Sequence, residues 1–514
     1  MAASDFVVVI LAAGKGTRLR SSRAKVLHLA GGRTLVESVV RACRPLGARK
    51  LYVVVGYQAD DVRAAVEPLG VETVLQQPQR GTGHALVATR RAIGTRAKHV
   101  LVLPGDAPLI HSETLRSLLE THRSGNAAAT LLTAVVANPT GYGRIVRKSG
   151  NTVGAVVEES QLSEEQRPMN EINSSIYCFT LEKIWPVLAR ITPNNVHREL
   201  YLTDAIAVLA QQGHTVLAQV ASDAQEVLGC NTRSELAEAD RVFRTRKRDA
   251  LMDSGVTIQL PETVLIDPDV QIGEDTTIEP CVQLLGKTRI GARCVIRTGS
   301  VLANSQLADD VTVKPHCVVD SSRLDTGVVI GPFARLRAET HIGAGARIGN
   351  FVELKNSIVG QGTKAMHLTY LGDARVGSKS NIGAGTITCN YDGMHKNPTT
   401  IGDRVFIGSN VALVAPVRIG HGAYVAAGSV ITENVPADAL GIARSRQATK
   451  RNWAAKRRRA FAAESKPLKP RTRSRSRTRP KRKPRNKSSP PSRRQSRSSR
   501  MARSKGRPRK SPKH

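Results

Sequence analysis

A period of six governs the second half of the chain. Aliphatic residues, several followed by glycine, fall at Ile272, Ile278, Leu284, Ile290, Ile296 and Leu302, then at Ile330, Leu336, Ile342, Ile348 and Leu354, and again at Ile401, Ile407, Leu413, Ile419, Val425 and Ile431. Hexapeptide repetition of this kind specifies a parallel β-helix, in which three hexapeptides close one coil and the aliphatics stack inward in ladders. The residue after each aliphatic then faces out. The register breaks between Asn356 and Ile382 and between Thr388 and Ile401, where inserted residues are expected to bulge out as loops. Insertions in a solenoid tend to build its binding surface.

Up to about residue 230 the chain follows another rule. Short β-rich runs (Phe6 to Leu11, Leu51 to Gly56, Val71 to Gln76, His99 to Leu103) alternate with helical patterns (Leu35 to Leu46, His84 to Ile93). Runs apolar on both faces predict a doubly wound, mainly parallel sheet covered by helices, with ligands at the carboxyl ends of its strands. Between the two halves, Thr232 to Leu251 carries apolar residues at helical spacing within heavy charge, which reads as one exposed linker helix over residues 231–253.

Charge separates a further segment. Of 77 Lys and Arg, 27 lie after Lys450, where Glu464 is the only acid, so most of the formal +35 belongs to residues 456–514 and to the few residues before them. RTRSRSRTRPKRKPRNK and SKGRPRKSPKH have too few large apolar residues to form a core, and a disordered tail able to bind nucleic acid or another polyanion is expected. No apolar stretch approaches the roughly 20 residues that span a bilayer, and Phe6 to Ala13 lacks a basic leader, which points to a cytoplasmic protein without a membrane span. Seven scattered cysteines without a C-x-x-C pair read as reduced, buried thiols.

Two places carry chemistry. Leu11-Ala-Ala-Gly14-Lys15-Gly16-Thr17-Arg18 follows a strand, and Lys15, Arg18 and Lys25 crowd cations around exposed backbone N–H groups, which suits a polyphosphate. Gln76 and Gly81-Thr82-Gly83 lie at a second strand end and Asp106 at a third, where an acid in an apolar run needs a partner such as a metal ion. In the second half, Arg337 and Lys355 each follow an inward aliphatic and are separated by three hexapeptides, one full coil. They should stack on one outer face about 4.8 Å apart and bind an anion. His367 falls in the first register break, on an expected insertion near this pair.

These segments resemble the bifunctional N-acetylglucosamine-1-phosphate uridyltransferase/glucosamine-1-phosphate acetyltransferases of bacteria. The resemblance runs from about residue 5 to 453. It is carried by VILAAGKGTR, Lys25-Val-Leu-His, Gln76, GTGHA, Gly105-Asp106-Ala-Pro-Leu, Pro139-Thr-Gly-Tyr-Gly143-Arg144, Val157-Glu158, Glu171-Ile-Asn173 and Asn231. It implies a left-handed β-helix, a homotrimer, and the substrates UTP, N-acetylglucosamine 1-phosphate, glucosamine 1-phosphate and acetyl-CoA. Leu11, Ala12, Ala13, Gly14, Gln76, Gly81 and Thr82 would then meet the nucleotide, with Pro104 and Gly105 leading into Asp106. Gly143, Glu158 and Asn173 would meet the sugar, Lys25 the phosphates, and Asp106 with Asn231 would hold Mg²⁺. In the second site, Arg337 and Lys355 would grip the sugar phosphate and His367 would be the base, with Glu353 orienting it. Tyr370, Asn381, Asn390 and Tyr391 would shape the sugar and thioester sites, Asn390 would donate to the oxyanion, and Ala384, Ser409, Ala427 and Arg444 would complete acetyl-CoA binding. The chain departs from the family at Leu19, Ala24 and Ser174-Ser175, where methionine, proline and Thr-Gly are usual.

The expected division is residues 1–230 for uridyl transfer, 231–253 for the linker, 254–455 for acetyl transfer and 456–514 for the tail. The alternative reading is a single-activity sugar-phosphate nucleotidyltransferase whose β-helix is structural or regulatory.

Overall fold

The computed structural model describes residues 4–192 and 199–465. In the first half, strands run in the order Val216–Val220, Ala129–Val135, Glu171–Thr180, His99–Pro104, Phe6–Ala12, Leu51–Val55 and Glu72–Leu75. Among these seven only Glu171–Thr180 opposes its neighbours, and the antiparallel pair Arg144–Arg147 and Val153–Val157 joins the sheet beside it, so the expected mainly parallel sheet is present with an antiparallel extension. Phe6–Ala12 shows why both faces are covered. Phe6, Val8 and Ile10 pack with α1 (Leu35–Cys43), α2 (Ala59–Val66) and α4 (Ser112–Ser124), while Val7 and Val9 pack with α3 (Thr82–Ile93), α5 (Leu181–Leu188) and α6 (Leu202–Gln211). A strand apolar on every residue has no face to give to water.

In the second half, three parallel sheets of 11, 10 and 9 short strands form the faces of a β-helix. Sixteen of the seventeen periodic aliphatics are buried, and Ile272 packs part-buried against the same core. Leu336 pairs with Leu354 and Arg337 with Lys355, one strand apart on one face, as a coil of three hexapeptides requires.

The first register break is not an insertion. Leu354 pairs with Leu371 and Ile348 with Ala365, so this coil is one residue short of three hexapeptides, the loss falls at a corner and no loop bulges there. The same shorter coil aligns Leu302 with Val319 and Val319 with Leu336, which accounts for the gap between Leu302 and Ile330 in the sequence pattern. His367 accordingly ends the Lys364–His367 strand at a corner, rather than riding on a loop. The second break is a true insertion, because Val376 pairs with Ile401, and the chain between them is longer than a full coil needs. The surplus forms a tight loop bridged between Tyr391 and Lys396, and Asp392 ties it by accepting from the Met394 and His395 amides and from Asn397 Nδ2.

Helix α7 (Arg233–Asp253) starts at a capping box made by Thr232 and Glu235. Its charge predicts exposure, yet it is clamped on both sides. Ala239 and Val242 pack with Leu35, Leu109 and Cys230, while Leu251 joins the core of the β-helix. Arg244 pairs with Asp267, Arg246 donates to the Leu109 carbonyl and Arg248 to that of Val264. These three arginines bond across to the flanking domains, while Arg233 and Arg241 stay exposed.

Among the cysteines, Cys43, Cys178, Cys230, Cys294 and Cys317 are buried thiols as expected, but Cys281 is exposed at a β-helix corner and Cys389 is half-buried. No helix of the described residues is long and apolar enough to cross a membrane. The boundary expected at residue 456 falls inside α8 (Trp453–Glu464), and the rest of the expected tail, 466–514, lies outside the described residues.

Candidate active sites

A cleft of about 600 Å³ opens at the carboxyl ends of the Phe6–Ala12, Glu72–Leu75 and His99–Pro104 strands. Leu11, Ala12, Ala13, Gly14, Lys25, Gln76, Gly81, Thr82, Pro104, Asp106 and Glu158 all line it, as does Lys15. Gly105 stands behind it and donates its N–H to the Leu11 carbonyl at 2.9 Å. Gly16 has φ +72°, and a Cβ there would collide with the Lys25 side chain, so glycine is required for the turn to close on that lysine.

Sequence spacing alone does not join Asp106 to Asn231, but the fold does. Lys25 Nζ pairs with Asp106 and donates to Asn231 Oδ1 at 2.6 Å, and Arg18 donates to the same oxygen at 2.7 Å. The Asn231 amide is aimed by its surroundings, with Nδ2 donating to the Gly229 carbonyl and the backbone N–H to Glu235 of the capping box at 2.6 Å. One carboxylate and one amide carbonyl at a phosphate-sized cleft fit a hard cation that keeps several waters, which is how Mg²⁺ is commonly held. Among the described residues no cluster of three His, Cys, Asp or Glu side chains offers a fuller cage.

At the end of the cleft expected to meet the sugar, burial raises the pKa of Glu158, against the lowering effect of the hydrogen bond it accepts from Thr203 at 3.0 Å. Gly143 lies close to that carboxylate and accepts from the Asn173 N–H. Asn173 itself does not line the cleft. Its Nδ2 donates to the Tyr177 hydroxyl and its Oδ1 accepts from the Ser175 N–H, and both partners do line it. Gln76 Nε2 donates to the Gly81 carbonyl at 3.0 Å, which fixes the amide. Tyr201, Leu202 and Thr203, at the start of α6, also line the cleft and were missed in the sequence, because no local pattern marks a helix N-terminus as facing a distant strand end.

The departures from the family pattern differ in their local consequences. Ala24 donates its N–H to Gln58 Oε1 at 2.5 Å, a bond that proline could not make. Ser175 sits at φ +62° in a β-bulge, the conformation for which glycine is better suited. Leu19 is fully buried as apolar filler.

The second site lies on the outside of the β-helix. Arg337, Lys355, Asn356 and Asp373 border a hollow of about 610 Å³, and the inserted loop adds Lys396 to it. Lys355 beside it holds the Lys396 ammonium below its usual pKa. With Arg335 the hollow has four cations against Asp320, Glu339 and Asp373, and the excess of positive charge favours a bound anion. Burial would raise the pKa of Asp373, but hydrogen bonds from Asn356 at 2.7 Å and Asn390 at 2.5 Å hold it down. Asn390 thus enters the site with its Nδ2 already donating to a carboxylate. Tyr370 and Asn390 close over Gly372, where a Cβ would fall 2.3 Å from the Tyr370 hydroxyl.

His367 is exposed at the corner beside this face, and its Nδ1 lies 2.7 Å from Asn350 Oδ1. With Nδ1–H donating there, Nε2 is left to accept a proton. Glu353, expected to orient His367, is instead paired with Arg337 at 3.0 Å, so the orienting contact is Asn350. The corner continues along the prism. Ala365, Ile382, Ile407 and Val425 stack in one ladder, so His367, Ala384, Ser409 and Ala427, each two positions beyond, line one edge. Arg444 reaches that edge by donating to the Ala427 carbonyl at 3.0 Å. Asn381 lies on the adjoining face, paired with Phe406, and Tyr391 is exposed on the loop.

Comparison with known proteins gives two family matches. Residues 8–167 match the MobA-like NTP transferase domain, and residues 269–304 and 398–433 match the bacterial transferase hexapeptide (six repeats). The chain is 49% identical over 457 residues to the bifunctional protein GlmU of Koribacter versatilis, covering 88% of this chain and 97% of that one. It is 51% identical over 452 residues to the GlmU of Solibacter usitatus, with the same coverage. It is also 44% identical over 448 residues to that of Streptococcus agalactiae, covering 87% and 97%.

Proposed function

The chain belongs to the bifunctional GlmU family, and from that premise we propose how its two sites divide the work. It is a bifunctional enzyme of UDP-N-acetylglucosamine synthesis, with acetyl transfer from acetyl-CoA to glucosamine 1-phosphate followed by uridyl transfer from UTP. In the N-terminal cleft, the sugar phosphate attacks the α-phosphorus of UTP and pyrophosphate leaves. Such a reaction needs positioning and charge neutralisation more than a side-chain nucleophile. Lys25 and Arg18 meet the phosphates, Gln76 with the Leu11 to Gly14 turn and Gly81-Thr82 receives the nucleotide, and Glu158 with Tyr177 and Thr203 faces the sugar. Asp106 and Asn231 hold Mg²⁺, which when bound neutralises phosphate charge.

On the β-helix, Arg337, Lys355 and Lys396 grip the phosphate of glucosamine 1-phosphate while His367 Nε2 takes the proton from the 2-amino group as it attacks the thioester. Ala384, Ser409 and Ala427 offer the edge along which acetyl-CoA lies, and Arg444 sits at its end. The observation that carries this reading over a purely structural β-helix is the trio of cations beside an oriented, exposed histidine. A stacked, exposed column of His316, Phe333 and Phe351 along the corner next to His367 supports packing against other copies in a homotrimer. The product feeds cell-envelope polysaccharide synthesis in the cytoplasm, and the basic tail binds polyanions.

An assay with glucosamine 1-phosphate, acetyl-CoA, UTP and Mg²⁺, each omitted in turn, tests the enzyme reading. UDP-N-acetylglucosamine should form only with all four. Activity on N-acetylglucosamine 1-phosphate but not on glucosamine 1-phosphate would leave the β-helix without chemistry.

A further inference from the structure

Helix α8, WAAKRRRAFAAE, has no buried residue, and it leaves Trp453 60% and Phe461 70% exposed. Two large rings left to water on three turns of helix ask for a ligand. At 100° per residue the rings lie about 80° apart around the helix, with Arg457 between them and about 6 Å of rise separating it from each. Together with Ala454, Arg458 and Ala462 they border a surface hollow of about 420 Å³. Lys456 and Arg459 occupy the remaining sides.

That distribution separates two kinds of polyanion. A helix that lies on a membrane needs its apolar residues gathered on one face and its cations on the other. Here a cation stands inside the aromatic stripe, and the chain that follows Ser465 holds 22 Lys and Arg, no acid, and only Leu468, Met501 and Ala502 as apolar residues. Aromatic rings interleaved with guanidinium groups instead match an unpaired nucleic acid strand, whose bases stack on the rings while its phosphates meet the cations. A duplex hides its base faces and can use only the charge. We propose that α8 is a stacking platform for single-stranded nucleic acid, with Trp453 and Phe461 as base contacts and Arg457 as the phosphate contact between them. The proposal rests on the polyanion-binding reading of the tail and adds strand selectivity to it.

The test uses the full-length chain, a fluorescent uridine 20-mer and a 20-base-pair duplex, with binding read by anisotropy from about 50 to 200 mM salt. Trp453→Ala/Phe461→Ala should weaken the single strand at least tenfold and leave duplex affinity and both salt slopes unchanged. Trp453→Phe/Phe461→Tyr, which keeps both rings, should restore it. Equal loss on both probes, or no loss, would overturn the platform while sparing the polyanion reading. Failure of the unaltered chain to bind either probe at about 50 mM salt would overturn both. Tighter binding to vesicles with about one third anionic lipid, abolished in the double variant, would replace the strand by a membrane.

Discussion

The two sites differ in what encloses them. The N-terminal cleft lies at converging strand ends, and its charged groups, Lys25, Asp106 and Arg18, are joined to one another and to the Asn231 amide from segments far apart in sequence. The β-helix site is spread over a flat outer face and one edge, with His367 exposed and only the loop that delivers Lys396 rising above it. A wound sheet converges its loops on a crevice, whereas a solenoid repeats one surface along its length. The first makes an enclosed site, and the second makes an open platform.

If the sites are independent, each should be removable alone. Asp106→Asn should cut uridyl transfer at least about a hundredfold through loss of the carboxylate proposed to hold Mg²⁺, and leave acetyl transfer near its original rate. His367→Ala should do the reverse, by about 10²- to 10⁴-fold. Loss of both activities in either folded variant would end the comparison.

Acid should also separate the halves. His122 is buried between His99, Thr130 and Thr180, and burial, with His99 and Arg123 adding charge, lowers its pKa to about 4. The unfolded chain therefore binds more protons than the folded one between about 6.5 and 4, so stability present above 6.5 is lost as pH falls through that window, by about 3 kcal/mol in all. The described β-helix histidines are all at least part-exposed. Trp185 in the first half should report unfolding at mild acid while β-helix circular dichroism persists, and His122→Gln should shift the Trp185 transition to lower pH.

A smaller effect tests the anion hollow. Arg337→Ala or Lys355→Ala should raise KM for glucosamine 1-phosphate with kcat for uridyl transfer unchanged, a loss of about 1.5–3 kcal/mol in binding or ten- to a hundredfold in kcat/KM. Unchanged acetyl-transfer kinetics would make Arg337 and Lys355 a solvated basic face without a ligand. Smallest of all, Ser175→Gly should relax the bulge at φ +62° and stabilise the first half by about 1 kcal/mol in thermal or urea unfolding, without moving the β-helix transition. Destabilisation would mean that the Ser175 side chain contributes more than its backbone costs.

What could be read from the sequence followed the range of the interactions. The coil of three hexapeptides put Arg337 over Lys355 because a solenoid converts spacing along the chain directly into position in space. The same arithmetic failed at His367, because a coil shortened by one residue breaks the pattern much as an insertion does. The glycine turn, Gln76 and Asp106 were visible as strand-end residues, whereas Thr203 and Tyr177 gave no local signal and entered the cleft only through the docking of α6 and the bulge at Ser175.

By itself the sequence determined the wound sheet, the bridging helix, the β-helix with its inward ladders, and the charge of the tail, since each follows from composition or from a short period along the chain. Tertiary structure decided the rest. Lys25 joins Asp106 to Asn231 across a long stretch of chain, Asn350 rather than Glu353 meets His367, and the loop after Asn390 brings Lys396 to Lys355. Each is a contact between side chains whose separation is set by how whole elements pack, and periodicity carries no information about that distance.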